Sequence, residues 1–361
     1  MERQGVSSAP MTAQGLLLKL LTAAGPSGYE SAPSAVWRAA AAEFADVSHD
    51  PLGSSVARVR GAAGGPRLAV IGHIDEIGLV VTHVDDKGFL FFRPVGGWDA
   101  EVLVGQRVQI STRDGSVAGV VGRKARPRRK AGEERKPLDL DELHIDIGAT
   151  SAEDARAHVR LGDPVVIGVQ PLELPNRRLA SRALDNRLGA YVALEVARAA
   201  AASQTPGDVA GVAAVQEEVG DFGGARTTTF ALEPEVALAV DVTPATDVPG
   251  GDAKLEGAHE LGAGPVIQRG STIHPAVFEL LCECAEADGI PHVVGVSAGT
   301  TYTDMDAVHL SRAGVAAGLV SIPTRYLHTP TELVALDDVD AAVRLITAFA
   351  RRLEPGTTFA R

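Results

Sequence analysis

His73 and Asp75 stand two residues apart in the run Leu68-Ala-Val-Ile-Gly-His-Ile-Asp-Glu-Ile-Gly78. An imidazole can ligate a cation, and a carboxylate beside it fixes which ring nitrogen is free to do so. Side chains two apart on a strand point to the same side, which places Asp75 to orient His73. The residues before them, Leu68 to Ile71, are apolar, partly β-branched and bounded by Gly and Pro, as a buried strand is. Polar groups at the end of such a strand cost free energy unless they are paired or hold a metal. The plain alternative is a strand-end histidine hydrogen-bonded in a loop.

Four further clusters of the same kind follow. Asp185 stands in Ser181-Arg-Ala-Leu-Asp-Asn-Arg-Leu-Gly189, just before a predicted helix, where an aspartate is also a good N-cap. Glu217 and Glu218 follow the apolar stretch Ala213-Ala-Val-Gln216, and adjacent carboxylates repel unless solvent or a cation relieves them. Asp241 ends the strand-like run from Val236. His328 follows the strand-like run from Gly318 to Ile322.

Acids and imidazoles at strand ends are where open α/β sheets place their sites. Two His and three carboxylates without Cys suit zinc, cobalt or manganese in a catalytic centre, not a structural zinc. Five ligands exceed what one catalytic zinc takes from its protein. They suffice for two divalent ions if one carboxylate bridges. One carboxylate of the Glu217/Glu218 pair is then left over, and a free carboxylate beside a metal-bound water is the general base that hydrolysis needs.

The elements that must position these residues are legible in outline. The chain has 361 residues, which favours two domains over a single core. An amphipathic helix is predicted over 14–24 and a second helix over 31–44. From Gly78 to about Leu174 the texture becomes short alternating runs separated by Gly, Asp and Pro, the signature of a small all-β module. Afterwards α/β texture returns. Helices are predicted over 186–202, 273–288 and 336–353, and buried strands over 209–216, 236–240 and 318–322. This alternation implies a parallel or mixed sheet covered on both faces, with the β-module inserted into it.

Formal net charge is -12, which argues against nucleic acid as a partner. No run is apolar and long enough to span a membrane, so no membrane partner is expected. No apolar core follows Met1-Glu-Arg-Gln-Gly, so no signal peptide is expected, and the expected compartment is the cytoplasm. The two cysteines, Cys282 and Cys284, are one residue apart. That spacing suits neither a zinc knuckle nor a redox pair, and small apolar fillers are expected.

The sequence resembles the tetrahedral aminopeptidases, a family that includes glutamyl aminopeptidases, deblocking aminopeptidases and proteins called cellulase M. The resemblance rests on Gly25-Pro-Ser-Gly-Tyr-Glu30, Gly72-His-Ile-Asp-Glu-Ile-Gly78, Ile145-Asp-Ile-Gly-Ala149, Ala183-Leu-Asp-Asn-Arg187, Gln216-Glu-Glu-Val-Gly220 with Gly223-Gly224, and Arg325-Tyr-Leu-His-Thr-Pro330. It implies that His73 and Asp241 ligate one metal, Glu218 and His328 the other, and that Asp185 bridges them. It implies Glu217 as general base and Asp75 as the group that orients His73. The implied fold is α/β: a zinc-peptidase-like α/β/α sandwich with an inserted small all-β domain, PDZ-like or barrel-like. Residues 1–77 and 175–361 would form the catalytic domain, and 78–174 the insert that mediates dimerisation. The implied protein is a di-metal aminopeptidase acting on peptides with two ions per chain, zinc or cobalt or manganese. The implied assembly is a homo-oligomer, a dimer that builds into a hollow dodecamer.

Two segments stand apart. After Gly122 the family continues with a Lys-Pro-Pro-His-like segment, whereas here Lys124 is followed by Ala125-Arg-Pro-Arg-Arg-Lys130. The basic run from Arg123 to Lys136 reads as a solvated loop, or as a flap that meets acidic groups of a substrate. Asp304, in Thr303-Asp-Met-Asp306, is given an outer-sphere or substrate role. The ligand pattern is shared with di-metal carboxypeptidases and deacylases. An endoglucanase, which needs two carboxylates flanking a sugar bond, fits the His-interleaved acids poorly. An inactive metal-dependent scaffold would have no need of Glu217.

Overall fold

The computed structural model describes residues 13–124 and 137–360. The strands are β1 (Asp46–His49), β2 (Ser55–Val59), β3 (Gly65–His73), β4 (Gly78–Val84), β5 (Leu90–Val95), β6 (Arg107–Thr112), β7 (Gly115–Arg123), β8 (Leu143–Asp146), β9 (Pro164–Ile167), β10 (Leu172–Leu174), β11 (Arg178–Ser181), β12 (Gly207–Ala214), β13 (Val236–Pro244), β14 (Val266–Gly270), β15 (Val293–Ser297), β16 (Ala316–Arg325) and β17 (Glu332–Ala335). The helices are α1 (Ala13–Thr22), α2 (Ser31–Ala41), α3 (Ala100–Leu103), α4 (Ala152–His158), α5 (Leu184–Ser203), α6 (Gly223–Leu232), α7 (Ala253–Glu256), α8 (Pro275–Ala287), α9 (Met305–Val308) and α10 (Leu336–Arg351).

Among the described residues the strands form two bodies. An eleven-stranded mixed sheet runs β1-β2-β12-β3-β13-β16-β17-β11-β10, with β14 and β15 branching from β16. Its centre, β12-β3-β13-β16, is parallel, and these strands are apolar because both faces are covered. Helix α5 crosses β3, β12 and β13. Helices α1, α2 and α10 pack on α5, while α6 and α9 pack together and against β3, β12, β13 and β16. The second body is a closed barrel of six strands, β4-β5-β8-β7-β6-β9. It lies between β3 and β10 in the chain and has its own core, including Leu79, Leu90, Ile110, Ile145 and Val165. The α/β expectation with a barrel-like β-insert therefore holds.

Glycine sets the closest approach in the main body. A Cβ on Gly72 would meet the Gly189 carbonyl carbon at 2.1 Å, and one on Gly189 would meet the Val240 carbonyl oxygen at 2.3 Å, so α5 closes on β3 and β13 only with these two residues bare. Trp37 is fully buried, and its Nε1–H donates to Ala190 O at 2.8 Å, tying α2 to the same helix.

Some boundaries differ from those read in the sequence. Asp241 is not a strand end: β13 continues through Pro244, because its pairing with β16 extends to Thr324. The helix expected to reach Phe44 stops at Ala41. The helix expected from Ile273 begins at Pro275, which supplies its first turn. Leu172–Leu174 pairs with β11 in the large sheet and not with the barrel. No described helix is long and apolar enough to cross a membrane. Of the basic run, Ala125 to Lys136 lies outside the described residues. Cys284 is buried in the core and Cys282 is partly buried, both as free thiols.

Candidate active site

Four parallel strands bring their carboxyl ends to one edge of the sheet, where α/β proteins bind ligands. His73 closes β3 and is buried, with 1% of its surface exposed. Glu217 and Glu218 follow β12, Asp241 lies within β13, and His328 follows β16 in a left-handed turn at φ 57. Asp185 sits at the start of α5 with non-helical torsions. It is not the helix cap: Asn186 Oδ1 accepts the N–H of Gly189 at 2.8 Å, which frees the Asp185 carboxylate to face the cleft.

The sequence-derived residues converge. His73 Nε2 lies 3.1 Å from Asp185 Oδ1, 3.7 Å from Glu217 Oε2 and 3.9 Å from Asp241 Oδ1. His328 Nε2 lies 3.3 Å from Asp185 Oδ2 and 3.5 Å from Glu218 Oε2. The two oxygens of Asp185 thus face different imidazoles. Two trios share Asp185: His73 with Asp241, and Glu218 with His328. Within each trio the potential ligand atoms lie within 4.8 Å of one another.

Electrostatics expose a shortage of positive charge. Burial and then neighbouring acids push the Glu217 carboxyl up to about 10 and those of Glu218 and Asp241 well above their ordinary range. Burial opposes charge on His73, but the surrounding carboxylates, Glu217 foremost, raise its pKa well above the usual imidazole value. Asp185 is held low against burial by its two histidines. Glu218 Oε1 is buried without a hydrogen-bond partner. Five oxygen and nitrogen donor side chains, an orphaned oxygen and unbalanced buried negative charge fit divalent cations.

Behind this layer stands a second one. Asp75 is fully buried. Its Oδ1 lies 3.5 Å from His73 Nδ1, and its Oδ2 accepts from Ser27 Oγ at 2.5 Å and from the backbone N–H of Glu218 at 3.1 Å. These bonds, with His73, outweigh burial and lower its pKa. Asp304 is 2% exposed, and neither carboxylate oxygen has a hydrogen-bond partner. Burial raises it to about 7, with His73 opposing the rise and Asp75 adding to it.

Other contributors escaped the sequence reading. Glu76 pairs with two buried cations, Arg182 and Arg187. Glu30 Oε1 accepts the N–H of Gln216 at 3.1 Å, pinning the Gly25–Glu30 loop beside the Glu217 strand end. Glu332 accepts from the backbones of Asp185 and His328. Arg187 and Glu30 lie in stretches that carry the family resemblance. Glu332 gave no signal at all.

The site opens into a cleft of about 570 Å³, a size suited to a small ligand. Beyond the His and acid cluster its wall mixes polar side chains, among them Gln268, Ser297 and Thr301, with apolar ones, among them Val242, Leu319 and Leu327. On the barrel side, a Cβ on Gly97 would come within 3.1 Å of His328 Nδ1, so the loop after β5 closes against that ring.

A family model described as M42 glutamyl aminopeptidase matches residues 53–345. The chain is 36% identical over 312 residues to lysyl aminopeptidase of Pyrococcus furiosus, covering 86% of this chain and 88% of that one. Its fold is similar to the TET aminopeptidase of the marine sediment archaeon Thaumarchaeota archaeon SCGC AB-539-E09, with a TM-score of 0.89, 34% identity and coverage of 95% and 97%. It is also similar to the TET1 peptidase of Pyrococcus horikoshii, with a TM-score of 0.82, 29% identity and coverage of 94% and 100%. That peptidase can assemble into a tetrahedron or a large octahedral shell.

Proposed function

The chain belongs to the M42 glutamyl aminopeptidase family and is a peptidase, and we propose that it removes N-terminal residues from peptides using two divalent cations per chain. The observation that carries this reading is Asp185, whose two oxygens face His73 and His328 at 3.1 and 3.3 Å. His73 and Asp241 would hold one ion, Glu218 and His328 the other, and Asp185 both. Zinc, cobalt and manganese suit this donor set. When bound, such ions supply Lewis acidity, which makes a water more acidic and polarises a carbonyl oxygen.

The chain's own groups do the rest. Glu217 is the adjacent acid with no ligand role in this assignment, and its Oε2 lies 3.7 Å from His73 Nε2 at the cleft wall. Once the negative charge around it is compensated, its carboxylate takes a proton from the attacking water and delivers it to the departing amine nitrogen. Asp75 Oδ1 faces His73 Nδ1 and so keeps Nε2 turned to the cleft as an unprotonated donor.

We read residues 1–77 and 175–361, together with β10 (Leu172–Leu174), as the catalytic domain and the remainder of 78–174 as the insert through which chains dimerise. The assembly of the Pyrococcus horikoshii relative supports a homo-oligomer, with a tetrahedral dodecamer as the specific expectation. Among the described residues the barrel is closed and leaves no free strand edge, so the dimer contact would be made by its side chains and loops. Two free thiols suit a reducing compartment, and we place the protein in the cytoplasm.

The test is a set of aminoacyl p-nitroanilides and N-acyl amino acids, assayed on protein stripped by chelation and then given zinc, cobalt or manganese. Hydrolysis of the anilides alone, and only with metal, is expected. Hydrolysis confined to N-acyl amino acids would make the enzyme a deacylase and overturn the aminopeptidase reading.

A further inference from the structure

Strand β17 lies between the two chain segments that carry the site's central groups. On one side it pairs with β11, Ser181 opposite Glu332, and the chain runs on from Ser181 to Asp185. On the other side it pairs with β16, from which the chain runs on to His328. Glu332, the first residue of β17, is 2% exposed. Its Oε2 accepts the backbone N–H of Asp185 at 3.0 Å, and its Oε1 accepts the backbone N–H of His328 at 3.1 Å.

Neither of these N–H groups has a place in regular structure. Asp185 has non-helical torsions at the start of α5, where helix amides lack internal partners. His328 holds a left-handed conformation that a non-glycine residue adopts only under constraint. A carboxylate offers two equivalent acceptor oxygens and can serve both donors at once.

We infer that Glu332 is a positioning residue that sets the separation of Asp185 from His328, and so the spacing of the ligands around the second cation. This rests on the di-metal reading above. Glu332 is not among the residues that line the cleft, so its action on the site runs through the two backbone groups it holds. An amide of the same shape would serve one backbone donor and present its own N–H₂ to the other.

The experiment compares wild type with Glu332→Gln as full-length protein, stripped of metal and titrated with Co²⁺. Wild type takes up two ions per chain. In Glu332→Gln the affinity for one of them falls by about 10–100-fold, the range for removal of an outer partner of a metal ligand. The absorption bands of the doubly loaded protein move, and kcat falls while KM changes little. The Tm of the metal-free proteins stays close, because only one hydrogen bond is exchanged. Unchanged affinity and bands would overturn the inference and leave the di-metal reading standing. Loss of the fold in Glu332→Gln would overturn it as well, since Glu332 would then serve the fold and not the site. Wild type that takes up no Co²⁺ would remove the di-metal reading and this inference with it.

Discussion

Asp75 and Glu218 are joined through a single hydrogen bond: Asp75 Oδ2 accepts the Glu218 backbone N–H at 3.1 Å while Oδ1 of the same carboxylate faces His73. One buried acid therefore holds a group from each half of the cluster. In Asp75→Asn the amide oxygen can satisfy Ser27 and Glu218, which turns the N–H₂ toward His73 Nδ1. That would put the ring proton on Nε2 and block it as a donor atom. The expected result is a folded protein with its affinity for one ion reduced about 10–100-fold, measured by calorimetric titration of the stripped protein. Wild-type affinity for both ions would show that Asp75 does not set the tautomer.

Asp185 contacts both histidines, and its removal should cost both ions. Asp185→Ala is expected to purify with little or no tightly held metal. Each ion would lose a ligand, and their mutual repulsion would lose the anion between them. Elemental analysis after dialysis checks this. Two retained equivalents of metal per chain would exclude a bridge at Asp185.

The adjacent acids should separate in their effects. Glu217→Gln is expected to keep both metals and the fold but to lower kcat by about 10²–10⁴-fold, the usual contribution of a general base. Glu218→Gln should instead release metal. The reverse pattern would exchange the two assignments.

How far the sequence led depends on how local each signal was. The strand before His73 was legible because Leu68 to Ile71 form an unbroken apolar run, and all four are buried as expected. Asp241 was misplaced to a strand end because Val242 and Thr243 prolong the strand by pairing, which no local pattern reveals. Asp185 carried two local meanings, cap and ligand, and only the Asn186–Gly189 bond decides between them. Glu332 was invisible, since a glutamate four residues after a histidine has no signature until β17 sets it between two backbones. The Glu76–Arg187 pair was equally hidden, its partners lying 111 residues apart.

Glu30 offers a pH test that the metal site does not dominate. Burial foremost, then Asp75, raises its carboxyl from 4.5 to about 7. Below pH 4.5 the group is protonated folded or unfolded and costs nothing. As pH rises to about 7 the unfolded chain releases a proton that the folded chain keeps, so stability falls, and the loss is complete above that range. Both bonds from Gly28 and Gln216 end on Oε1, which an amide oxygen can replace. Glu30→Gln should therefore gain on wild type by up to roughly 3 kcal/mol between pH 4.5 and pH 7.5. Denaturant melts across that range provide the measurement. A constant difference would mean that Glu30 titrates normally.

Arg187 links the site's scaffold to the first helix. It is fully buried, and its guanidinium donates to the carbonyls of Leu20, Ala23, Gly25 and Ile74 as well as to Glu76. Leu20 and Ala23 supply carbonyls at the end of α1 that the helix itself cannot satisfy. Burial lowers the Arg187 pKa to about 10, with Glu76 opposing the fall, so it is charged at neutral pH. Glu76→Ala would leave two guanidiniums, those of Arg182 and Arg187, without their carboxylate. Breaking a buried pair in this way costs about 3–5 kcal/mol. The loss should also be local at first. Amide exchange should accelerate in α1 and in the Gly25–Glu30 loop, which Glu76 holds through the N–H of Gly25, before it changes in the barrel strands β4 to β9. Uniform acceleration through barrel and sheet would mean that the network supports the whole fold and not the seam between α1 and the start of α5.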